Sequence, residues 1–412
     1  MKICLVLISG GWGGAEAVVR ELVKCLRDKG ENVSIILNQE ILKFYGDLER
    51  VEIFNIGCVY HPIKLIKSII LPNVDKESSI LNSFLSYYLN ELLRPIYFKR
   101  IRKKILDFLS DKEVDIIHSH LENSDILVSC LTDLKIPWVI TIHGVRCAPK
   151  YFKKDSTIRS ILTFKKSKVR MLKNCWSKAD KITEVSKFIL NELENQGISL
   201  RNKSVVIRNG ITLSEFQRDS IPKLKLKENF NLLFPGGAKI HKGGDIIIKA
   251  LTKVRYKIPN IHLYIALNVP KNHLLRKMVK KLGLEQNVTF LGFLQKEKYR
   301  EILNSVDILI QMYREESFGI VCLEAMALGK PIIAGNRGLP TFVKNGKNGV
   351  FVEPNSDEVA DAILYLYKNE DVRKQISQNN LEDIKNFDWG FIVDEYIDFY
   401  RKTLIEKREQ FF

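Results

Sequence analysis

NLLFPGG (231–237) leads through AKIHKGG (238–244) into DIIIKALTKV (245–254). The first piece is an apolar run that stops in a Pro-Gly-Gly turn, which reads as a buried strand. The last has apolar residues at helical spacing. The same opening stands at the start of the chain: ICLVLI (3–8), then SGGWGG (9–14), then a helix from about Ala15 to Lys29. After the first opening come VSIIL (33–37), VDIIHSH (114–120), PWVITIHG (137–144), DKITEVS (180–186) and SVVIRNG (204–210). After the second come HLYIAL (262–267), VTFLGF (288–293), VDILIQM (306–312), KPIIAG (330–335) and GVFVEP (349–354). Short apolar strands alternating with helical patterns predict an α/β fold with two doubly wound parallel sheets. The charged stretch Gln217 to Asn231 separates them, giving domains 1–217 and 218–387. A final helix, about 388–412, shows Phe391, Tyr396, Phe399 and Leu404 at helical spacing and is expected to pack one face back on the first domain. Ligands of open parallel sheets bind beyond the carboxyl ends of the strands. Two such sheets facing each other would line one cleft with both Gly-rich turns.

Composition agrees with two domains. The chain has 412 residues, 45% hydrophobic and 27% charged, enough to build large cores and to exclude general disorder. Seven cysteines, at 4, 25, 58, 130, 147, 175 and 322, show no zinc or redox spacing and point to a reduced cytoplasmic setting. No apolar run reaches the length of a membrane-spanning helix.

The net charge is +17. Residues 94–104 and 150–178 concentrate it, the latter with ten Lys or Arg and one Asp. Aromatic and aliphatic residues interleave with these charges. That pattern predicts contact with an anionic membrane surface, hence a peripheral protein at the inner face of the membrane. No module for nucleic acid accompanies it.

The sharpest constellation is EESFGIVCLEAMALGKPIIAGNRGLP (315–340). Gly319, after Ser317 and Phe318, suggests a helix start, with Glu316 on the loop and Glu324 in the second turn. Free N–H groups at such a start suit a diphosphate, and carboxylates accept pairs of hydroxyls. Lys242, with Lys239 nearby, would neutralise a departing diphosphate. In the first half, Gly13 and Gly14 allow close backbone approach and Glu16 opens the helix. His118 and His120 share one face of their strand. His143 and Asn209 also stand at strand ends. Each of these residues also has a structural explanation: dipole compensation for the carboxylates, a satisfied core position for the histidines, turn formation for Asn209. No Asp-x-Asp, GxGxxG after the first strand, or GxxxxGK[ST] is present, which argues against the usual metal–diphosphate pair, a dehydrogenase and a P-loop NTPase.

Taken in order, GGAE, DIIHSH, RNGI with Phe216, the Lys-Gly turn, and the Glu-x7-Glu segment with SFG and EAMALGKP resemble the retaining GT-B glycosyltransferases of family 4. The resemblance implies two Rossmann-like domains facing a central cleft, a UDP-linked nucleotide-sugar donor on the second, and an acceptor on the first. It implies that Glu316 holds hydroxyls of the donor sugar, Glu324 the ribose, and Lys242 the diphosphate, with Phe318, Gly319 and Gly338 nearby. His120, rather than His118, would lie near the reacting centre. It departs from the pattern where Gly236, Gly237 and Ala238 occupy the place of an Arg, which leaves Lys239 as a substitute, and where Arg337 and Thr341 stand after the PIIA strand. The expectation is a metal-independent hexosyl- or N-acetylhexosaminyltransferase with no cofactor. Its acceptor would be a lipid-linked glycan in surface polysaccharide biosynthesis. A nucleotide-sugar epimerase and a non-catalytic partner of the same fold are the alternatives.

Overall fold

The computed structural model describes residues 1–11, 13–59, 97–131, 135–144, 169–200, 202–226, 230–314, 316–336 and 342–409. The chain divides into two units, one of residues 1–208 with 392–412 and one of residues 209–391. The division falls at Arg208, ahead of the charged stretch that begins at Gln217.

In the first unit, β1 (Lys2–Leu7), β2 (Asn32–Leu37), β3 (Glu52–Asn55), β4 (Ile116–His120), β5 (Trp138–Ile142), β6 (Lys181–Glu184) and β7 (Ser204–Val206) form one sheet. The strand order is β3-β2-β1-β4-β5-β6-β7, parallel throughout. Strands β1, β4 and β5 are almost wholly buried, which is why β1 reads as an unbroken apolar run, while β4 buries His118, Ser119 and His120 at its end. β3 was not among the strands read from the sequence. Its ends, Glu52 and Asn55, are exposed and Ile53 and Phe54 only half-buried, as suits an edge strand.

In the second unit, β8 (Phe230–Phe234), β9 (Ile261–Ala266), β10 (Val288–Gly292), β11 (Ile308–Gln311), β12 (Ile332–Gly335) and β13 (Gly349–Val352) are ordered β10-β9-β8-β11-β12-β13. The helices Gly244–Val254 and Ser356–Lys368 pack Ile247, Leu251, Val359 and Ile363 against this sheet in one apolar core. Both sheets reverse direction of growth once, between β1 and β4 and between β8 and β11. Those are the switch points at which an open parallel sheet leaves a crevice beyond its carboxyl ends.

The last helix, Trp389–Glu409, starts in the second unit and continues into the first. Its buried face is Ile392, Val393, Tyr396, Ile397, Phe399, Tyr400 and Thr403. Phe391, expected on that face, is 66% exposed and lies on the far side of the helix. Its neighbours Trp389 and Ile392 carry the packing instead. Among the described residues, no helix is long and apolar enough to cross a membrane.

Of the basic stretches, 94–96 and 150–168 lie outside the described residues. In the helical segment 97–111, Phe98, Ile105 and Leu109 are buried in the first unit. Phe98 is therefore core rather than part of a lipid-facing stripe. Lys99, Arg100, Lys103 and Lys104 are the exposed members.

Candidate active site

The chain leaves β8 through a Gly-rich turn that ends in a single helical turn, Ile240–Lys242. Gly243 follows with φ +74°, and a Cβ there would stand 2.1 Å from the Met312 carbonyl oxygen. Only glycine meets both demands. The close approach clamps the turn after β8 against the loop after β11. Two further contacts tighten it. The Arg314 guanidinium forms a paired contact with Asp245, at 3.0 and 2.7 Å, and the Arg314 N–H donates to the His241 carbonyl at 2.8 Å.

Lys242 and Glu316 meet across this junction, the Lys242 ammonium donating to Glu316 Oε2. The second oxygen, Oε1, accepts the Ser317 N–H at 3.0 Å. Sequence reasoning put both residues at one site but did not foresee that they hold each other. Beneath the ammonium, Nζ lies 4.6 Å from the centre of the Tyr313 ring. Both partners keep some exposure, 22% for Lys242 and 13% for Glu316, so a ligand can reach them.

Gly319 has φ +79° and caps the helix Ile320–Ala327, which places Glu324 in its second turn as the spacing predicted. Phe318 is buried, its ring 4.9 Å from that of Phe342. Burial pushes the Glu324 carboxyl up to about 7, although the Tyr299 hydroxyl and the cations of Lys296 and Arg300 favour its charged form. Lys239 is exposed on the turn. Gly338, Arg337 and Thr341 lie outside the described residues.

In the first unit, the loop after β1 closes on itself. Glu16 is buried and accepts from the Ser9 hydroxyl, while the Ser9 N–H donates to Asn38 Oδ1 at 3.0 Å. Gly13 lies against the Glu16 carboxylate, with room for a Cβ only at 3.0 Å from it, and Gly14 begins the helix. Glu16 is thus committed to shaping the loop.

The histidines end β4 on one face, as alternation predicted, with ring centres 4.0 Å apart. Their environments differ. His118 Nδ1 lies 2.6 Å from the Tyr400 hydroxyl and Nε2 lies 2.7 Å from Thr141 Oγ1, so both nitrogens are engaged and the residue is a structural anchor. His120 Nδ1 lies 3.0 Å from His143 Nε2, while His120 Nε2 is buried with no hydrogen-bond partner. Burial holds the pKa of His118 and His120 well below the usual histidine range and that of His143 at about 4. The trio is therefore neutral, and His120 Nε2 is its one buried nitrogen without a hydrogen-bond partner. Asn209 is buried with Oδ1 unpartnered, and Gly210 beside it packs on the Trp389 ring.

Sequence reasoning missed Tyr313, Tyr400 and Glu184. Glu184, at the end of β6, is fully buried, and burial pushes it up to about 7 although the Ser204 hydroxyl favours its charged form. A Glu closing an apolar strand was the signal for it. Among the described residues, no three His, Cys, Asp or Glu side chains are grouped to hold a metal ion.

Residues 12–215 match the model for Glycosyltransferase Family 4 and residues 216–383 that for Glycosyl transferases group 1. An uncharacterized glycosyltransferase of Methanocaldococcus jannaschii is 28% identical over 70% of this chain and 75% of its own. N-acetyl-alpha-D-glucosaminyl L-malate synthase of Bacillus anthracis is 24% identical over 75% of this chain and 80% of its own. Among solved structures, HepE of Anabaena in complex with UDP superposes with a TM-score of 0.70 at 20% identity, over 98% of this chain and 100% of its own.

Proposed function

Because the chain belongs to the GT-B glycosyltransferases of the family 4 type, we propose that it moves a hexosyl or N-acetylhexosaminyl group from a UDP-linked donor, with retention and without a metal ion. The observation that carries this reading is the Lys242–Glu316 pair at the switch point between β8 and β11, one turn of chain from the helix that bears Glu324. The UDP held by HepE supports a uridine donor.

Each residue takes a role its chemistry allows. Glu324 accepts the ribose hydroxyls and Glu316 the hydroxyls of the donor sugar. Lys242 and Lys239, with the N–H groups at the start of the helix Ile320–Ala327, stabilise the departing diphosphate, where negative charge grows in the transition state. The bond from the anomeric carbon to the diphosphate oxygen breaks as the acceptor oxygen bonds to the same face. The acceptor's proton passes to the departing phosphate oxygen. In the first unit, His120, held by His143, offers its Nε2 to the acceptor. Asn209 and the turn of Gly13, Gly14 and Glu16 contribute to the acceptor and diphosphate side.

The acceptor is a lipid-linked glycan of surface polysaccharide biosynthesis. Lys99, Arg100, Lys103 and Lys104, with the basic residues of 150–178, hold the protein at the inner face of the membrane. This docking rests on charge alone, since Phe98 is committed to the core.

A thermal-shift panel of UDP-, GDP-, ADP- and dTDP-sugars, without metal, tests the donor assignment. A ligand of the folded state raises the melting temperature. A shift selective for UDP-sugars and lost in Glu324→Ala is expected. A stronger shift with another base would overturn the uridine assignment, and no shift with any would overturn the donor site.

A further inference from the structure

Tyr313 follows β11 by two residues and is fully buried. Its hydroxyl has only the Cys322 thiol, a weak hydrogen-bonding group, beside it. Its ring face does have a partner, the Lys242 ammonium at 4.6 Å. A cation over an aromatic face is held electrostatically, and more strongly where water is partly excluded.

The backbone around this ring is fixed from three directions. A Cβ at Gly243 would stand 2.1 Å from the Met312 carbonyl oxygen, and one at Gly335 would stand 3.0 Å from the Tyr313 carbonyl oxygen. The Arg314 N–H is bonded to the His241 carbonyl. The segments that leave β8, β11 and β12 therefore lock the ring in place beneath the lysine.

Lys242 has two partners among the described residues, and only one is free to stay. Glu316 spends Oε2 on Lys242 and Oε1 on the Ser317 N–H. Sugar hydroxyls that take up these oxygens compete with the ammonium and weaken its hold. The ring has no competing duty.

We propose that Tyr313 is a positioning residue for Lys242. Its ring keeps the ammonium at the turn when Glu316 exchanges it for the donor sugar, so that the cation meets the diphosphate. This rests on the reading of Lys242 as the diphosphate ligand.

Titration calorimetry with the diphosphate-linked glucose of each base (UDP-, GDP-, ADP- and dTDP-glucose), whose sugar occupies Glu316, each against the corresponding nucleoside monophosphate, tests it. The β-phosphate contact is read as the ratio of the two affinities for the base that binds best. Tyr313→Phe should match the parent, since the ring is kept. Tyr313→Met, of similar volume but without the ring, should cut the diphosphate preference about tenfold and leave the monophosphate unchanged. In a Lys242→Met background, Tyr313→Met should add nothing. Equal loss for both nucleotides, loss in Tyr313→Phe, or an additive loss in the double variant would overturn the proposal. If Tyr313→Met fails to melt cooperatively, Tyr313→Trp, which keeps a π-face, must retain the preference. If Lys242→Met itself keeps the preference, the reading of Lys242 falls and this inference with it. If Lys242→Met loses it and Tyr313→Met does not, this inference alone falls. Absence of binding by all four diphosphates overturns both.

Discussion

Glu324, partly buried, and His120, fully buried, have had their ordinary titration displaced in opposite senses by the same cause. Desolvation disfavours the charged form, which raises a carboxyl and lowers an imidazole. For Glu324 the result is a carboxyl that titrates at about 7 in the empty site. The ionised form accepts both ribose hydroxyls, whereas the protonated form has lost an acceptor. Donor affinity should therefore rise with pH, up to about tenfold between pH 6 and pH 8. A nucleotide-sugar is the right probe, because its diphosphate is doubly esterified and does not titrate in this window. Calorimetry with UDP-glucose should show the rise, and Glu324→Gln should flatten it. The sequence made Glu324 and Glu316 legible, since eight residues across a Gly-capped helix start is a readable spacing. It did not reveal that Glu316 is held by Lys242, because that contact spans the strands β9 and β10 and depends on sheet order. Tyr313 was illegible for a different reason. A Tyr after an apolar strand reads as core, and core it is; only the lysine above it gives its face a second use.

At the scale of elements, the turns after β8 and β11 act as one unit. Gly243 is the pin, with a left-handed φ and no space for a Cβ. Gly243→Ala should lower stability by about 2 kcal/mol or more and weaken UDP binding with it, since the turn that carries Lys242 must move. Urea unfolding and calorimetry on the same variant read both effects. The helix Trp389–Glu409 is the corresponding fastener of the first unit, through the Tyr400 hydroxyl on His118. Tyr400→Phe leaves a buried imidazole nitrogen unpaired and should cost about 1–2 kcal/mol. The buried strands and this helix were legible from periodicity. The half-buried edge strand β3 was not, because it lacks an apolar run. Phe391 was misplaced because an apolar residue at the right spacing can still fall on the wrong side of a helix whose buried stripe is set by Tyr396 and Tyr400.

For the whole molecule, two sheets with the same order of their first four strands put their chemistry at the same topological place. Lys242 and Glu316 flank the β8/β11 switch point, and His120 ends β4 at the β1/β4 switch point. Such folds tolerate buried acids at strand ends and helix starts, with a consequence for stability. Burial raises Asp125 to about 7 despite its bonds from Ser119 and Trp176, and Glu184 and Glu324 likewise to about 7. The folded state binds these protons more tightly than the unfolded chain, where the groups titrate near 4. Stability is then greatest below that pH as far as these groups are concerned, and declines as pH rises from about 4 to about 7. Urea unfolding at pH 5 and pH 8 should show the decline, and Asp125→Asn should reduce it. The central claim is sugar transfer from a nucleotide donor at the Lys242–Glu316 junction. Release of UDP from a UDP-sugar, with a membrane-lipid extract as acceptor, tests it most directly. Glu316→Ala should lower the rate by roughly 100-fold or more while leaving the melting temperature intact. A folded Glu316→Ala protein with near-parental release would contradict the claim.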